Sequence, residues 1–472
     1  MKNNRTKLIA TIGPASCSEE MLEKLIQEGV DVCRINFSHG SHEDHQKVIG
    51  IIRKLNQKNS THIAILADLQ GPKIRLGFIQ DSFAIDDNQT ITLSATEQNS
   101  SPTTLYVTYP ELTQDVEKGH RILIDDGKIE LVCEERINEN DLRCIVLCGG
   151  IIMSKKGVNL PDTNISQPSL TKKDFADLLF ALDNDVEWIA LSFVRTEDEI
   201  IHLKKIIKEK NKQALVMAKI EKPEALINID RIIEESDAIM VARGDLGVEV
   251  PIEQLPFIQK NVVQKCLMYS KPVVIATHIM ESMITQATPT RAEVNDVVNA
   301  MLDGADALML SAETASGKFP IKVVALMTKI MSEMEGKDMM YNRPQLPRKE
   351  SKTFLSDAVC YNACKIAEEV GAKAIIGMTR SGYTATMTSS YRPKAEIFIF
   401  SDNHKILNSL NLIFGVRPFF YDKFVSTDNT IFDLHEILKQ KNKLHSGDIV
   451  INLASMPIHK EGRTNMLKIT KI

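Results

Sequence analysis

An α/β fold organised around a (β/α)₈ barrel is predicted by three observations. Eight short apolar runs alternate with segments that can form helices. One interruption of about 120 residues, between Leu69 and Trp188, carries period-two alternation instead. Beyond a polar, proline-containing segment, helix and strand patterns alternate again. Continuous apolar runs rich in Val, Ile and Ala are what strands buried on both faces require, and their alternation with helices argues for parallel strands.

The runs are KLIATIG (7–13), VDVCRINFS (30–38), HIAILADL (62–69), WIALSFV (188–194), LVMAKIE (215–221), AIMVARG (238–244), PVVIATH (272–278) and ALMLSAE (307–313). Seven of the eight end on a polar or charged residue or lead directly into one. Active sites of such barrels lie at the C-terminal ends of the strands, which makes Arg34, Asp68, Lys219, Glu221, Asp245 and Thr277 candidate catalytic groups. Between the third and fourth runs, from about Lys73 to Asn159, stretches such as TITLSA, TLYVTY, RILIDDGKIELVCEE and LRCIVLCGG are broken by DDG, NEND and GG. That pattern predicts antiparallel strands joined by turns. It describes a small β domain inserted into a barrel loop over the catalytic face, hinged near Pro72 and Pro161, where closure would exclude water. Residues 336–352 form a linker. After it, a helix over 357–370 and strands at AKAIIGMT, AEIFIFS and DIVINLA predict a small C-terminal α/β domain with a mostly parallel sheet. Met327, Met331 and Met334 read as core packing.

With 472 residues the chain is too long for one barrel, and 43% hydrophobic and 25% charged residues describe an ordinary globular protein. A net charge of −5 gives no general attraction to nucleic acid or to anionic membranes, so an anionic substrate must be held by a local cluster of cations. No run approaches the ~18 apolar residues of a membrane span. MKNNRTKLIATIG enters the first strand without an apolar leader, and the eight cysteines show no CxxC spacing. The expectation is a reduced, cytoplasmic protein.

KIE (219–221) and RGDLG (243–247) end the fifth and sixth strands. Neighbouring strand ends lie within ligand distance, so Glu221 and Asp245 can share a hard cation such as Mg²⁺. Lys219, two residues before Glu221 and on the same side of the strand, can stabilise a transferring anionic group. Gly244, Asp245, Leu246 and Gly247 lead into a helix whose start can receive a carboxylate or phosphate. RINFSHG supplies Arg34 for bidentate phosphate binding, with Asn36, Ser38 and His39 close by. Arg75 in GPKIRLG lies at the entry to the inserted domain, and Lys156 in SKKGVNLP at its exit. Together they read as a phosphate and nucleotide site. In the C-terminal region TRSGYT follows a strand, where Thr379, Ser381 and Thr384 could form an anion nest.

RINFSHG, GPKIR, KKGVNLP, KIE, RGDLG, ESM with PTRAE, and GADALMLSAETA stand in the order and spacing of the pyruvate kinase family, which the chain resembles over essentially its whole length. The resemblance implies a (β/α)₈ TIM-barrel A domain (1–71 and 169–340), an inserted β-barrel B domain acting as a lid (72–168), an α/β C domain (350–472) and a homotetramer. It implies transfer of the phosphoryl group of phosphoenolpyruvate to ADP, giving pyruvate and ATP as the last step of glycolysis. By the same resemblance Glu221 and Asp245 hold one Mg²⁺ and a second arrives with ADP. Lys219 and Arg34 contact the phosphoryl group, and Gly244, Asp245 and Thr277 receive the carboxylate end of the substrate. The pyruvate enolate is protonated through water near Thr277. Asn36, His39, Arg75 and Lys156 match positions lining the nucleotide site, and the 379–384 loop matches an effector-phosphate loop for a sugar phosphate or nucleotide.

Two departures matter. Family members that require K⁺ bind it with Asn, Ser, Asp and Thr. Here Asn36, Ser38 and Asp68 are present, but Leu69 replaces the threonine, and Lys73 replaces a glutamate in DLQGPKIR. An ammonium near the vacated position would supply the missing charge, so the expectation is K⁺ independence with Lys73 as an internal cation. His278 stands where the family usually has glutamine. The alternatives are a catalytically silent effector-binding scaffold, or a Mg²⁺-dependent barrel aldolase or lyase acting on pyruvate.

Overall fold

The computed structural model describes residues 4–343, 346–423, 426–456 and 463–472. All eight apolar runs contain strands: Lys7–Thr11, Val32–Asn36, Ala64–Asp68, Trp188–Leu191, Leu215–Ile220, Ala238–Ala242, Val273–Ala276 and Ala307–Leu310. Each pairs in parallel with its neighbours, and pairing of the first with the eighth, Lys7 opposite Ala307, closes the ring. The runs are continuous because both faces of each strand are buried. Ile9, Val32, Leu66, Ala190, Met217, Met240, Val274 and Met309 fill the barrel interior. The alternate residues, among them Leu8, Cys33, Ile65, Ile189, Val216 and Leu308, pack outward in a larger core. Met327 and Met331 belong to that outer core and Met334 packs on its edge, as expected.

The interruption folds as a mainly antiparallel sheet with a core of its own, although Thr90–Ser94 and Thr104–Tyr106 pair in parallel, against the expectation. The DDG turn joins Arg121–Ile124 to Ile129–Arg136, and Asp125, Asp126 and Gly127 all take positive φ there. Six strands run in a ladder from Val158–Asn159 to Thr104–Tyr106. Residues 75 and 76 close it, since Arg75 bridges Gly157 at one edge and Leu76 bridges Val107 at the other. A barrel is thereby completed by two isolated bridges rather than by a strand, and the pair Phe83–Ile85 and Gly150–Ile152 lies in a separate sheet.

Among the described residues the C-terminal sheet has five strands, two more than expected, in the order Val416–Phe420, Glu396–Ser401, Ala374–Met378, Ile449–Ala454 and Met466–Lys471. Only the last pairing is antiparallel. The expected helix spans Phe354–Glu369. The linker is partly anchored: Met340 and Tyr341 are buried, and Arg343 donates to the carbonyls of Leu302 and Asp303. Among the described residues no helix is long and apolar enough to cross a membrane. All eight cysteines are free thiols.

One buried ion pair ties the C-terminal region to the base of the barrel. Arg392, 2% exposed, lies 3.0 Å from Asp306 and donates to the Gly304 carbonyl. Asp306 also accepts the backbone N–H groups of Val273 and Phe414. Removing one partner leaves a buried charge uncompensated. Arg392→Met is therefore expected to cost about 3–5 kcal/mol in denaturant unfolding. Adding Asp306→Asn should recover part of that loss.

Asp31 faces Lys7 at 3.8 Å and accepts the Leu8 N–H. Burial pushes its carboxyl up to about 6, and Lys7 only partly offsets this. In an unfolded chain the group titrates near ~4, so between about pH 4 and 6 the folded state binds more protons. The contribution of Asp31 to stability is thus present below that window and lost as pH rises through it. Urea midpoints measured across the window should show the wild type losing stability relative to Asp31→Asn.

Candidate active site

Asp68 sits at the centre of the barrel mouth. It ends the third strand, is 1% exposed, and lies between two cations: Arg34 Nε donates to its Oδ2 at 2.6 Å, and Lys219 Nζ lies 3.2 Å from its Oδ1. These side chains converge because they continue the interior parity of their strands. Arg34 follows Val32, Asp68 follows Leu66, Lys219 follows Met217, and Glu221 comes two residues later. Lys219 also pairs with Glu221 Oε1 at 2.9 Å and donates to Ser192 Oγ at 2.7 Å. The second oxygen of Glu221 accepts the N–H of Phe193, a residue held at φ 55°. Arg34 is steadied from the other side by Thr11 Oγ1 at 2.9 Å.

The charges sustain one another. Burial opposes the charge on Lys219, but Asp68 and Glu221 outweigh it and raise its pKa. Burial likewise opposes ionisation of Asp68, and Lys219 and Arg34 together hold its carboxyl below the usual range. Glu221 goes the other way: burial and the nearby Asp245 carboxylate raise its pKa, against the pull of Lys219. A hard dication would relieve that repulsion, so the donor set fits Mg²⁺. No group of three or more His, Cys, Asp and Glu among the described residues could hold a metal, so water and substrate oxygens would complete the shell.

Gly244 and Asp245 lie one step further into a helix than the sequence implied, inside Arg243–Glu249. Gly244 N–H donates to Thr277 Oγ1 at 2.7 Å, an approach that a Cβ at 244 would crowd. Thr277 and His278 both take positive φ, 66° and 52°, which is strained for a β-branched residue. Buried Arg243 fixes the turn by donating to both carbonyls, and is itself held by Asp296 at 2.8 Å. His278 is exposed, 3.7 Å from Glu281.

On the inserted domain, Arg75 and Lys156 come from the two chain segments that close its barrel. Arg75 donates to the Lys155 carbonyl, and Lys156 pairs with Asp125 at 2.7 Å. On the barrel rim His39 is exposed, and Asn36 Oδ1 accepts the Ser38 N–H. Lys73 pairs with Asp245 at 3.7 Å rather than with Asp68. Thr379, Ser381 and Thr384 lie far off in the C-terminal region. Thr379 accepts the Gly382 N–H, Thr384 bonds Thr464, and both are buried, which leaves Ser381 as the exposed hydroxyl of the three. Sequence reasoning missed Thr11, Ser192, Arg243 and the Phe193 N–H. The interior parity that placed Lys219 also marks Thr11, two residues after Ile9, and Ser192, two after Ala190.

The family model described as pyruvate kinase, barrel domain, matches residues 3–324, and that described as pyruvate kinase, alpha/beta domain, matches residues 357–470. The chain belongs to the pyruvate kinase family. It is 39% identical to the pyruvate kinase of Corynebacterium glutamicum over 470 residues, 99% of this chain and 97% of that one. It is 40% identical to pyruvate kinase 2 of Synechocystis sp. over 469 residues, 98% of this chain and 79% of that protein. A crystal structure of a pyruvate kinase from Cryptosporidium parvum superposes with a TM-score of 0.92 at 33% identity, covering 99% of this chain and 96% of that chain. Pyruvate kinases are phosphotransferases, and the cations gathered here suit that chemistry. Lys219→Met is expected to lower kcat about 10²–10³-fold in a pyruvate-release assay. Lys219→Arg should not restore it, because a planar guanidinium cannot occupy the point between Asp68, Glu221 and Ser192.

Proposed function

We propose that the chain transfers the phosphoryl group of phosphoenolpyruvate to ADP, as the last step of glycolysis, with Mg²⁺ and without K⁺. The observation that carries this reading is the set Arg34, Asp68, Lys219, Glu221 and Asp245 at one barrel mouth. Phosphoryl transfer needs charge neutralisation and alignment more than covalent help. Arg34 and Lys219 bind the phosphoryl group, and Asp68 keeps their charged heads apart and aimed. Thr277 and Gly244 receive the carboxylate end, and a water near Thr277 protonates the enolate. Mg²⁺ on Glu221 and Asp245 supplies further charge neutralisation, and a second ion accompanies the nucleotide, which Asn36, His39, Arg75 and Lys156 line.

Two features support K⁺ independence. Both oxygens of Asp68 are engaged by Arg34 and Lys219, and Asn36 Oδ1 is taken by a backbone N–H. Lys73 adds a third cation, so Arg34, Lys219 and Lys73 face Asp68, Glu221 and Asp245 in equal number. The internal cation thus acts through Asp245 and not at the former K⁺ position.

We read three units with the boundaries given above, in keeping with the separate hydrophobic cores. We read the protein as cytoplasmic and homotetrameric, and self-association accords with exposed apolar side chains such as Ile252, Phe257 and Leu355. An effector site accords with the cavity of about 450 Å³ between the base of the barrel and the C-terminal region, which Lys271, Arg348, Ser381 and Tyr383 help to line.

Pyruvate formation from phosphoenolpyruvate and ADP with Mg²⁺, followed in K⁺-free Tris buffer and again with KCl, tests the reading. Full activity without K⁺ is expected, and Lys73→Glu should lose at least 10-fold in K⁺-free buffer and regain part with KCl. Activity of the wild type only with K⁺ would overturn the role of Lys73. Absence of activity in both buffers would overturn the reaction.

A further inference from the structure

The inserted domain meets the barrel at a buried polar contact outside the set just described. Glu249 closes the helix that carries Asp245, and Lys222 directly follows Glu221. Both are about 4% exposed, and Lys222 Nζ lies 2.8 Å from Glu249 Oε1. The same oxygen accepts a hydrogen bond, also 2.8 Å, from Asn159 Nδ2 of the inserted domain. The second oxygen, Oε2, has no hydrogen-bond partner among the described residues. A buried carboxylate is tolerated only when paired and hydrogen-bonded, so two contacts on one oxygen carry its whole compensation. Asn159 belongs to the strand Val158–Asn159, three residues after Lys156, and that strand forms the edge that Arg75 bridges at Gly157. A small cavity of about 30 Å³ lies at the same junction, lined by Asn159, Glu249, Lys73 and Asp245 among others.

We infer that Glu249 is a positioning residue that latches the inserted domain to the metal-binding strand ends. Its carboxylate joins Lys222, the neighbour of Glu221, and the helix that carries Asp245 to the strand that follows Lys156 by two residues. Asn159 lies two residues before the hinge at Pro161, so a swing of the inserted domain that displaces this strand breaks the Asn159 contact and leaves Glu249 with Lys222 alone. The latch therefore fixes the distance between the nucleotide-lining residues of the inserted domain, Arg75 and Lys156, and the phosphoenolpyruvate half of the site on the barrel. This inference rests on the proposed phosphoryl transfer for its kinetic consequence, and on the structure alone for its mechanical one.

The mechanical consequence is read by hydrogen–deuterium exchange on the full-length apo protein. Asn159→Ala and Glu249→Ala should each speed exchange of the backbone N–H groups in segments 74–77 and 156–160 at least five-fold. Glu249→Gln combined with Lys222→Met, which removes both charges and keeps an acceptor oxygen for Asn159, should stay within two-fold of the wild type. Unaltered exchange in Asn159→Ala, a variant at a half-buried position that threatens folding least, would overturn the latch whatever the activity. The kinetic consequence is a split: Asn159→Ala should raise KM for ADP at least five-fold, while phosphoenolpyruvate affinity measured calorimetrically without ADP changes less than two-fold. Equal loss in both would mean that the contact serves only general stability, and would also overturn the latch. A wild type that transfers no phosphoryl group would overturn the reaction, and the exchange measurement would still decide the latch.

Discussion

The carboxylate of Asp68 is the constraint on which the rest of the site depends. Two cations cannot be brought to one barrel mouth unless something between them offsets their repulsion and their loss of water. Asp68 does this with one oxygen for each, and its own burial is tolerable only because both are there. Removing Asp68 leaves Arg34 without a carboxylate partner and Lys219 with Glu221 alone. The barrel supplies the geometry cheaply. Strands whose interior faces are filled by Ile9, Val32, Leu66, Ala190 and Met217 need only continue two residues further to deliver Thr11, Arg34, Asp68, Ser192 and Lys219 to one place.

Around that preformed cluster stand two elements held in less relaxed states. The Thr277–His278 turn is kept at positive φ by Arg243, which links its carbonyls to Asp296 on the next helix. Such strain persists where surrounding contacts over-determine it, and here it presents a hydroxyl beside the Gly244 N–H. The inserted domain is the other element. It meets the barrel through a small set of polar contacts: Lys73 with Asp245, Asn159 with Glu249, and Arg195 with the carbonyls of Ile165 and Gln167. A part joined in this way can move as a body, and what it carries, Arg75 and Lys156, moves with it.

Much of the fold was legible because the barrel strands are buried on both faces and so advertise themselves as unbroken apolar runs. The charged candidates were legible because a Lys, Glu or Asp at the end of such a run is too costly to be incidental. Neutral groups carry no such mark: Thr11 and Ser192 are ordinary hydroxyls until the parity of their strands is traced. Backbone conformation is invisible as well, so the Phe193 N–H that binds Glu221 could not be foreseen. The strand Val416–Phe420 escaped notice because Pro418 interrupts its pattern, and it is tolerated because the strand lies at the sheet edge. The two-residue closure at Arg75 and Leu76 is too short to show any period. The partner of Lys73 depends on how the inserted domain sits on the barrel, which local sequence does not encode. The burial of Thr379 and Thr384 is likewise a tertiary outcome.

The most direct test of the account is the kcat/KM for phosphoenolpyruvate of Asp68→Asn, measured beside its melting temperature. Asp68 touches no substrate in this account, so its whole effect runs through the aim and charge of Arg34 and Lys219. A fall of more than about 100-fold with a cooperative melt is predicted, comparable to losing a transition-state donor outright. A folded Asp68→Asn enzyme with near wild-type kcat/KM would contradict the claim that this carboxylate organises the site.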